Sequence, residues 1–430
     1  MSAPAAERID QPCPECGERI EADARYTVWC AACEWNVDPV RAAEREERPR
    51  LLERRRRELA RRHGERLLRE VADGKPLRAH RDVPALLAQA ISVLVHAVTV
   101  TLVVAGLWCL VAGRGTGLVV LGAAALLVAV ALRPRFGAPP DDVPLLVRED
   151  APELFALVDE VARTVGTRGV DLIAVDEEFN ASVWAYGVRG RRLLTIGLPL
   201  WEVLTPRERI ALLGHELGHF ANGDTRHGRL VWTAEQSLDT WSYFTAPTPN
   251  AVSWQAMAIN ASTFLPWLLL QGVLLLLDQL TLRAAQRGEY LADRACARAG
   301  GTKAAIGLMD RLLLGESVMT TLGRERNRGL MRTSRAADTA RRAEGLWERL
   351  AEEIASVPDH EIERLRRART RQGHTVDSTH PPTHLRRRCL ALGPAESPRI
   401  DVDAARAERI AAELAEPRRT VAREVLKPVG

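Results

Sequence analysis

The stretch His-Glu-Leu-Gly-His at residues 215–219 is the most informative motif of this chain. On a helix, residues four apart share one face, so both imidazoles can reach one metal ion while Glu216 reaches a water molecule. Upstream, Thr-Pro-Arg-Glu at 205–208 has the pattern of a helix start, with an N-cap, a proline at the first position and a capping box. Asn-Gly at 222–223 is the expected left-handed stop. The motif is therefore predicted to lie on a short, well-delimited helix.

A second acidic motif lies downstream, where Glu289 and Asp293 stand four residues apart after an apolar block. Catalytic zinc takes three protein ligands and leaves a fourth position open, so Glu289 is a candidate third ligand. Asp293 shares its helix face and can orient a ligand imidazole through the second ring nitrogen. Two alternatives remain at this point. The histidines could be satisfied by hydrogen bonds in a core, and the acids could be an ordinary surface pair on an arginine-rich helix.

Four motifs in one order resemble the HtpX-like and CAAX prenyl protease family of integral-membrane zinc metallopeptidases, the gluzincins. They are Asn180-Ala181, HELGH at 215–219 with Asp224 beyond it, EYLAD at 289–293, and His380-Pro381-Pro382-Thr383 followed by Arg386. The resemblance covers roughly residues 141–392. It implies an active enzyme, a zinc metalloendopeptidase of the HExxH type whose third ligand is a glutamate, and polypeptides as its substrates.

The resemblance also implies a role for each matching residue. Zinc would be held by His215, His219 and Glu289, Glu216 would activate a zinc-bound water, and Asp293 would support a ligand imidazole; Asn180 and Ala181 would lie along the substrate backbone, and His380 and Arg386 near the scissile carbonyl. A turn residue fixed by two prolines is the alternative for His380. The β-rich run at 192–197 is a candidate edge strand onto which a substrate peptide could pair.

Three features depart from the family pattern. Glu235 and Asp239 fall where relatives tend to have a membrane span, residues 286–288 are Gln-Arg-Gly where many relatives have a Ser-Arg pattern, and His384 replaces an acidic residue. The first departure puts the number of spans in doubt. The other two concern the substrate side and leave the metal ligands unchanged.

Four of the seven cysteines form two CxxC pairs near the N-terminus, namely Cys13, Cys16, Cys30 and Cys33. Two short knuckles of this kind predict a zinc ribbon with one structural zinc ion held by four thiolates, in addition to the catalytic one. Such a small segment builds little core, so the metal would supply much of its folding energy. A protein-docking or regulatory role is favoured over nucleic-acid binding, because the segment is acidic as well as basic and the whole chain carries a net charge of only +4.

Apolar residues are concentrated in blocks, although the mean hydropathy of −0.14 is that of a soluble protein. Residues 83–113 carry no Asp, Glu, Lys or Arg and exceed the roughly 20 residues that a helix needs to cross a bilayer. Residues 115–132 form a second, shorter apolar run. A third block at about 241–280 contains several prolines and Asp278, and is either a further span or a half-inserted helix. An acid at membrane depth is expected to face protein or water.

The arginine-rich flanks of the first two apolar blocks predict their orientation. Because basic flanks stay in the cytoplasm, we expect a multi-pass protein of the cell membrane, with the N-terminus and the catalytic domain on the cytoplasmic side. No cleavable secretory signal is expected at the N-terminus. The arginine-rich run at 41–81 is either a solvated helix with a narrow apolar stripe or a basic stripe on anionic lipid headgroups.

The predicted fold is mainly α with a small β-sheet (α+β). Its expected order is a zinc ribbon at 1–38, an Arg-rich helical linker at 39–82, a transmembrane hairpin at 83–135, a peptidase domain at 141–395 and a polar tail at 396–430. The predicted function is hydrolysis of membrane or misfolded proteins by a membrane-bound zinc endopeptidase. A CAAX-type processing protease and a catalytically latent, membrane-tethered ribbon adaptor are the alternatives. The expected partners are polypeptide substrates, membrane lipid and a protein bound through the ribbon.

Overall fold

The protein is described by a computed structural model that covers residues 8–39, 51–75, 82–222, 224–249, 253–330, 341–372 and 381–427. Within these residues there are fifteen helices and six short strands, which form one two-stranded and one four-stranded sheet. The prediction of a mainly α fold with a small β-sheet is therefore confirmed.

The N-terminal segment is a cysteine-rich hairpin. Strands β1 (Arg8–Pro12) and β2 (Arg19–Asp23) pair in antiparallel fashion. The turn between them contains the first CxxC pair and Gly17, whose positive φ of 76° suits a residue without a side chain. Ile20 and Ala22 on β2 form a small buried cluster with Cys13 and Cys30. The hairpin thus places the first two cysteines beside the second two.

The arginine-rich helix α1 (Leu51–Ala72) is part of the folded body in its C-terminal half. Three of its apolar side chains are buried against helices from the far end of the chain. The cluster consists of Leu67, Leu68, Val71, Tyr290, Leu385 and Cys389. The apolar stripe in the C-terminal half of this helix therefore packs against protein, and the role of its basic face stays a prediction.

Helices α2 (Val83–Ala112) and α3 (Leu118–Ala131) form an apolar hairpin. They approach closely where Gly106 faces Gly122, since a Cβ added to Gly122 would stand 2.8 Å from the Gly106 carbonyl oxygen. Helix α2 is long and apolar enough to cross a membrane. Helix α3 has 14 residues, about 21 Å at 1.5 Å per residue, and is thus shorter than the predicted apolar run and than a full span of about 30 Å.

The peptidase region begins with a four-stranded sheet and a covering helix. Its elements are β3 (Leu145–Leu146), α4 (Pro152–Val165), β4 (Leu172–Asp176), β5 (Ala181–Tyr186) and β6 (Arg191–Gly197). The strand order is β3-β4-β6-β5, with β4 and β6 parallel and β5 antiparallel to β6.

The strand order corrects one prediction. The run at 192–197 is a strand, but it lies inside the sheet between β4 and β5, so its identification as an edge strand is wrong. Its apolar residues Leu193, Leu194 and Ile196 are almost fully buried, as expected of a strand with a neighbour on each side. The edge at this end of the sheet is β5.

Helices α5 (Leu198–Val203) and α6 (Pro206–Ala221) follow the sheet, and α7 (Asp224–Thr245) and α8 (Trp254–Gly300) come next. Helix α7 packs against both α2 and α8. The third apolar block is therefore divided between the end of α7 and the N-terminal half of α8. Helix α8 is the second helix that is long and apolar enough to span a membrane. Asp278, within this half, is partly buried.

The two long apolar helices expose large side chains to their surroundings. On α2, Leu94 is 66% exposed and Trp108 is 71% exposed. On α8, Leu265 and Leu269 are 61% and 62% exposed. Leucine and tryptophan in unbroken exposed faces of this kind are stable in contact with lipid and unfavourable in water.

The C-terminal third is a set of shorter helices packed on the core. They are α9 (Thr302–Leu312), α10 (Gly315–Leu330), α11 (Leu346–Ala355), α12 (Asp359–Gln372), α13 (Thr383–Leu392), α14 (Ala404–Glu413) and α15 (Ala415–Val425).

The segment predicted as a polar tail at 396–430 contains two helices that pack on the core. Its few apolar residues, among them Ile410, Leu414 and Val421, are buried in the main core at helical spacing. The Glu413 carboxylate also accepts hydrogen bonds from the backbone N–H groups of Glu153 and Leu154, at 2.8 and 2.9 Å. The tail therefore caps the N-terminus of α4 and belongs to the folded body.

Candidate active site

The helix that carries the HELGH motif begins with a complete capping box. The Thr205 backbone N–H donates to Glu208 Oε2 at 2.8 Å, and the Glu208 N–H donates to Thr205 Oγ1 at 3.3 Å. Pro206 occupies the first helical position, as predicted. The expected left-handed stop is absent at Asn222, whose φ of −75° is right-handed, and Gly223 lies outside the described residues. Each cap of this kind is worth about 1 kcal/mol.

Helix α6 lies against the C-terminal half of α8 through small residues. A Cβ added to Gly218 would stand 2.8 Å from Ala295 Cβ and 3.0 Å from Ala292 Cα. One turn earlier, a Cβ on Gly214 would stand 2.8 Å from Ala299 Cβ. Real side chains never approach so closely without displacement, so both glycines are needed for this helix spacing. The close packing brings the acidic motif of α8 up to the two histidines of α6.

Two imidazoles and one carboxylate converge between these helices. The Nε2 atoms of His215 and His219 are 3.3 Å apart. Glu289 Oε2 lies 3.6 Å from His215 Nε2, and Glu289 Oε1 lies 3.6 Å from His219 Nε2. His215 and Glu289 are buried, whereas 24% of the His219 side chain remains exposed. The two nitrogens and the Glu289 carboxylate, which turns one oxygen towards each histidine, therefore form a roughly triangular cluster that is partly exposed beside His219.

This triangle has the size that a zinc ion requires. Zinc bound to nitrogen and oxygen at about 2.0–2.1 Å in tetrahedral geometry separates neighbouring donors by about 3.4 Å. The observed separations of 3.3, 3.6 and 3.6 Å agree with that value. The two nitrogens and the carboxylate therefore lie close enough together for a single divalent cation to contact all three groups.

Glu216 follows His215 in the sequence, and its side chain is almost fully buried, at 6% exposure. Burial raises the pKa of its carboxyl group well above the ordinary value, the Glu289 carboxylate reinforces this shift, and Arg386 opposes it. A divalent cation at the triad would lower the pKa again, since a nearby positive charge favours the carboxylate. A carboxyl group tuned between these influences is suited to accept and release a proton near neutral pH.

Behind the triad, a buried ion pair holds His215. Asp293 Oδ1 lies 3.1 Å from His215 Nδ1. Arg386 donates to the same carboxylate from Nη2 and Nε, at 2.6 and 2.9 Å. Burial alone would raise the pKa of Asp293, but Arg386 and the hydrogen bond from His215 outweigh it and hold the pKa far below the ordinary range. Asp293 is therefore an anion that accepts a hydrogen bond from Nδ1 and leaves Nε2 directed at the triad.

The remaining predicted site residues occupy different surroundings. Arg386 is only 4% exposed and faces Asp293, His215 and Glu289, with Nη2 3.3 Å from His215 Nε2 and Nη1 3.8 Å from Glu289 Oε2. Asn180 is exposed immediately before the edge strand β5, and Ala181 is the first residue of that strand. Strand β5 contacts α6, the helix of the two histidines. His380 lies outside the described residues.

The four N-terminal cysteines form a second cluster. Cys13 Sγ and Cys33 Sγ are 3.6 Å apart, as are Cys16 Sγ and Cys30 Sγ. Tetrahedral zinc with Zn–S bonds of about 2.3 Å separates its sulfurs by about 3.8 Å. All four sulfurs lie within 4.8 Å of one another, so this cluster also fits one zinc ion.

The cysteine cluster is fixed to the peptidase body through helix α12. Trp29 is fully buried and stacks on His360 with ring centroids 4.7 Å apart. Arg364 donates to the Val37 carbonyl oxygen at 2.9 Å, and Arg367 donates to the Ala31 carbonyl oxygen at 2.6 Å. The ribbon therefore docks on its own chain.

The buried triad with its adjacent carboxyl group has the donor set of a metallopeptidase site. Comparison with known proteins specifies it further. The family model described as peptidase family M48 matches residues 148–391, which is more than half of the chain. The chain belongs to peptidase family M48. This family is zinc-dependent.

Relatives named as proteases share part of the sequence. The chain is 36% identical over 80 residues to "Protease HtpX homolog 1" of Sulfurisphaera tokodaii, which covers 18% of this chain and 25% of that protein. It is 30% identical over 169 residues to "Protease HtpX" of Pseudomonas putida strain GB-1, which covers 37% of this chain and 55% of that protein. The chain thus spans only a quarter to about half of the length of these curated relatives. No solved structure matches.

Sequence reasoning missed two features of the site. The first is the role of Gly214 and Gly218, whose spacing of four residues at the motif was visible but was not connected to the small residues of α8. The second is the partner of Arg386, because an ion pair between residues 93 positions apart leaves no local pattern.

Proposed function

We propose that this chain is a membrane-bound, zinc-dependent endopeptidase that hydrolyses peptide bonds of membrane or misfolded proteins. The observation that carries the proposal is the convergence of His215 Nε2, His219 Nε2 and the Glu289 carboxylate. The two nitrogens are 3.3 Å apart, and each lies 3.6 Å from one of the two Glu289 oxygens. Glu216, buried beside it, is the proposed general base. We further propose one catalytic zinc at this triad and one structural zinc at the four cysteines.

Zinc at the triad, when bound, supplies a Lewis acid that polarises a peptide carbonyl and makes water more acidic. The other steps are assigned to side chains. Glu216 accepts a proton from the attacking water and passes it to the leaving amine, for which its elevated pKa is suited. Asp293 fixes the ring of His215 so that Nε2 points at the triad. Arg386 neutralises Asp293 and is proposed as a positioning residue, and its expected position near the scissile carbonyl stays a prediction.

Substrate binding is proposed along the edge strand β5. This strand pairs with β6 on one side, and it contacts α6. An extended peptide that added to such an edge would be held by main-chain hydrogen bonds, and its sequence would matter little. Asn180 is the proposed contact to the peptide backbone, and its exposed position immediately before the strand supports this role. His380 is retained as a proposed substrate-side residue on the family resemblance alone.

Membrane insertion is proposed for α2, α3 and the N-terminal half of α8. Two of these helices have the length and apolarity to span a bilayer, and all three carry exposed apolar faces. The arginines that flank 83–135 favour a cytoplasmic position for the N-terminus and for the peptidase domain. We therefore propose that the chain is a multi-pass protein of the cell membrane.

The proposal is tested by measuring zinc and hydrolysis together. The full chain, purified in uncharged detergent, is expected to hold about two zinc ions, with one lost in Glu289→Ala and one lost in the Cys13→Ser/Cys16→Ser variant. Glu216→Gln should keep both ions and hydrolyse labelled casein roughly 10²–10⁴-fold more slowly. Glu177→Gln, an exposed acid outside the site, is the matched control. Unchanged zinc in Glu289→Ala, or unchanged hydrolysis in Glu216→Gln, would refute it.

A further inference from the structure

Residues 133–144, which join helix α3 to the sheet, form a strap along one face of the sheet. At the edge strand β5, the backbone N–H of Gly187, one residue past the strand, donates to the Phe136 carbonyl oxygen at 2.7 Å. At the other end of the strap, the Val175 N–H of β4 donates to the Pro144 carbonyl oxygen at 3.0 Å, and β3 follows directly. The strap therefore extends from the edge strand β5 to β4, beside the opposite edge of the sheet.

The face that the strap covers is turned away from the main core. Trp184 and Tyr186 stand two residues apart on β5 and share this face. They pack with apolar side chains of the other strands and with Val143 of the strap. The members of this cluster are Leu172, Ala174, Tyr186, Leu193, Val143 and Trp184. On the opposite face, Ala181 and Val183 pack on the main core, so β5 is held from both faces.

Strap and strand come into close contact where Gly137 lies against the ring of Trp184. A Cβ added to Gly137 would stand 2.7 Å from Trp184 Cζ3, closer than real Cβ atoms approach. Gly137 also has a positive φ of 47°, which favours glycine. The indole ring packs in turn edge-on against Tyr186, with ring centroids 6.1 Å apart. Because the ring lies between Gly137 and Tyr186, the strap fixes the middle of β5.

The strap begins at a point that is bonded to the apolar helices. The Leu132 carbonyl oxygen, at the end of α3, accepts hydrogen bonds from Trp241 Nε1 of α7 at 3.2 Å and from Thr99 Oγ1 of α2 at 3.5 Å. Four residues, Arg-Pro-Arg-Phe, separate Leu132 from Gly137, and Pro134 restricts their backbone. Even fully extended, this segment spans at most about 18 Å. The strap therefore ties β5 to the apolar helices through a short and restricted connection.

We propose that Trp184 is a positioning residue for substrate, which through its contact with Gly137 keeps β5 in the extended form that a substrate peptide pairs with. This role rests on the proposed function, which assigns the substrate to the edge of β5. Main-chain pairing needs a strand whose N–H and C=O groups are already aligned. A strand that had to be ordered as the peptide bound would lose affinity. The strap supplies that order in advance and favours substrate binding, whereas the triad and Glu216 carry the chemistry.

Gly137→Ala is the test variant, because its methyl group would displace the ring of Trp184. Gly166→Ala, at the end of α4, is the matched control. Its φ of 89° imposes the same kind of strain on alanine, but no surrounding atom lies within 4 Å of the added Cβ. Trp184→Ala loosens the strand in a second way. In the Trp184→Ala background, Gly137→Ala should add only the effect of strain that Gly166→Ala shows.

Substrate binding and strand order are measured in the full chain in uncharged detergent, with Glu216→Gln present so that labelled casein is not consumed. Fluorescence anisotropy should show that the affinity for casein falls roughly fivefold or more in Gly137→Ala and Trp184→Ala, and less than about twofold in Gly166→Ala. Hydrogen exchange at residues 181–186 should rise in the first two variants and stay unchanged in the third. In the active enzyme, the first two changes should raise KM and leave kcat within about twofold.

The outcomes separate the role of Trp184 from the proposed function. Affinity that does not fall, exchange at 181–186 that does not rise, or an equal loss in Gly166→Ala overturns the positioning role. Exchange that rises without a loss of affinity shows that casein does not bind at β5, and it overturns the role while the zinc and Glu216 measurements above still decide the peptidase assignment. A Glu216→Gln parent that binds no casein overturns both. Zinc content and thermal midpoint report folding, and Trp184→Phe replaces Trp184→Ala if the latter unfolds.

Discussion

Arg386 and Asp293 form a two-point ion pair of 2.6 and 2.9 Å in which both side chains are at most 5% exposed. The pair stands directly behind His215, whose Nδ1 lies 3.1 Å from the same carboxylate. The orientation of one proposed zinc ligand therefore depends on an arginine that comes from a different helix and does not belong to the triad.

Arg386→Gln is expected to weaken zinc binding at the triad by roughly 10–100-fold, because Asp293 would lose the charge that keeps it an oriented anion. Removal of one partner of a buried ion pair also costs about 3–5 kcal/mol of stability. Competition with a chelator measures the first effect and the thermal midpoint measures the second. Arg387→Gln is the matched control, since the neighbouring Arg387 pairs with Asp310 nearer the surface. Equal zinc affinity in both variants would contradict the positioning role.

Gly218→Ala is expected to separate α6 from α8 and to weaken zinc binding. The new Cβ would stand 2.8 Å from Ala295 Cβ, and overpacking of this kind typically costs about 1–3 kcal/mol. Gly323→Ala, within α10, serves as the control because no atom lies within 4 Å of the added Cβ. Alanine there should leave zinc content unchanged and raise stability by up to about 1 kcal/mol through helix propensity. A Gly218→Ala enzyme with full zinc affinity would show that the spacing is not critical.

Docking of the ribbon on α12 is expected to weaken as the pH falls. Burial lowers the pKa of His360, although Glu361 opposes this effect. The docked state thus binds a proton less tightly than an undocked one, and docking loses stability as the pH falls below the ordinary histidine pKa of about 6.5. Hydrogen exchange at residues 28–37, corrected for intrinsic rates, should increase between neutral and mildly acidic pH. In His360→Phe, which keeps an aromatic ring against Trp29, this pH dependence should vanish; its persistence would mean that another group titrates.

Glu413→Gln is expected to lower the stability of the peptidase body by about 1 kcal/mol, because the carboxylate caps two N–H groups at the start of α4. Glu416→Gln is the control, since Glu416 is exposed and pairs with Arg419 of its own helix, an interaction worth less than about 1 kcal/mol. Thermal midpoints of the two variants give the comparison. If they agree, the cap contributes nothing and the tail is held by apolar contacts alone.

The sequence predicted the elements whose determinants are local. The HELGH helix, its capping box, the strand at 192–197 and the apolar helix at 83–113 all depend on residues within one or two turns, and all are present. Which strands pair with one another was harder to predict from the sequence. The position of β6 inside the sheet depends on which strands pair with it, and an alternation of apolar residues over seven positions does not distinguish an inner strand from an edge.

The packing of the C-terminal tail was also difficult to predict, in this case because of its composition. Its apolar residues are few among many arginines and glutamates, which is typical of a solvated segment. Four or five apolar residues at helical spacing are nevertheless enough to hold two short helices when a preformed core accepts them. Glu413 reinforces this docking through a contact some 260 positions away in sequence, at the start of α4.

The unbroken course of α8 has a consequence for where cleavage occurs. The helix has 47 residues, about 70 Å at 1.5 Å per residue, and the same rod carries the apolar half and Glu289. Glu289 follows Leu280 by nine residues, or about 14 Å along the axis. With the apolar half in the bilayer, the hydrolytic centre stands at a fixed height, which an extended substrate reaches in about four residues. On the proposed function, the distance between the bilayer surface and the site of cleavage is therefore constant. Membrane-anchored substrates with progressively longer linkers should be cut at the same distance from their anchors.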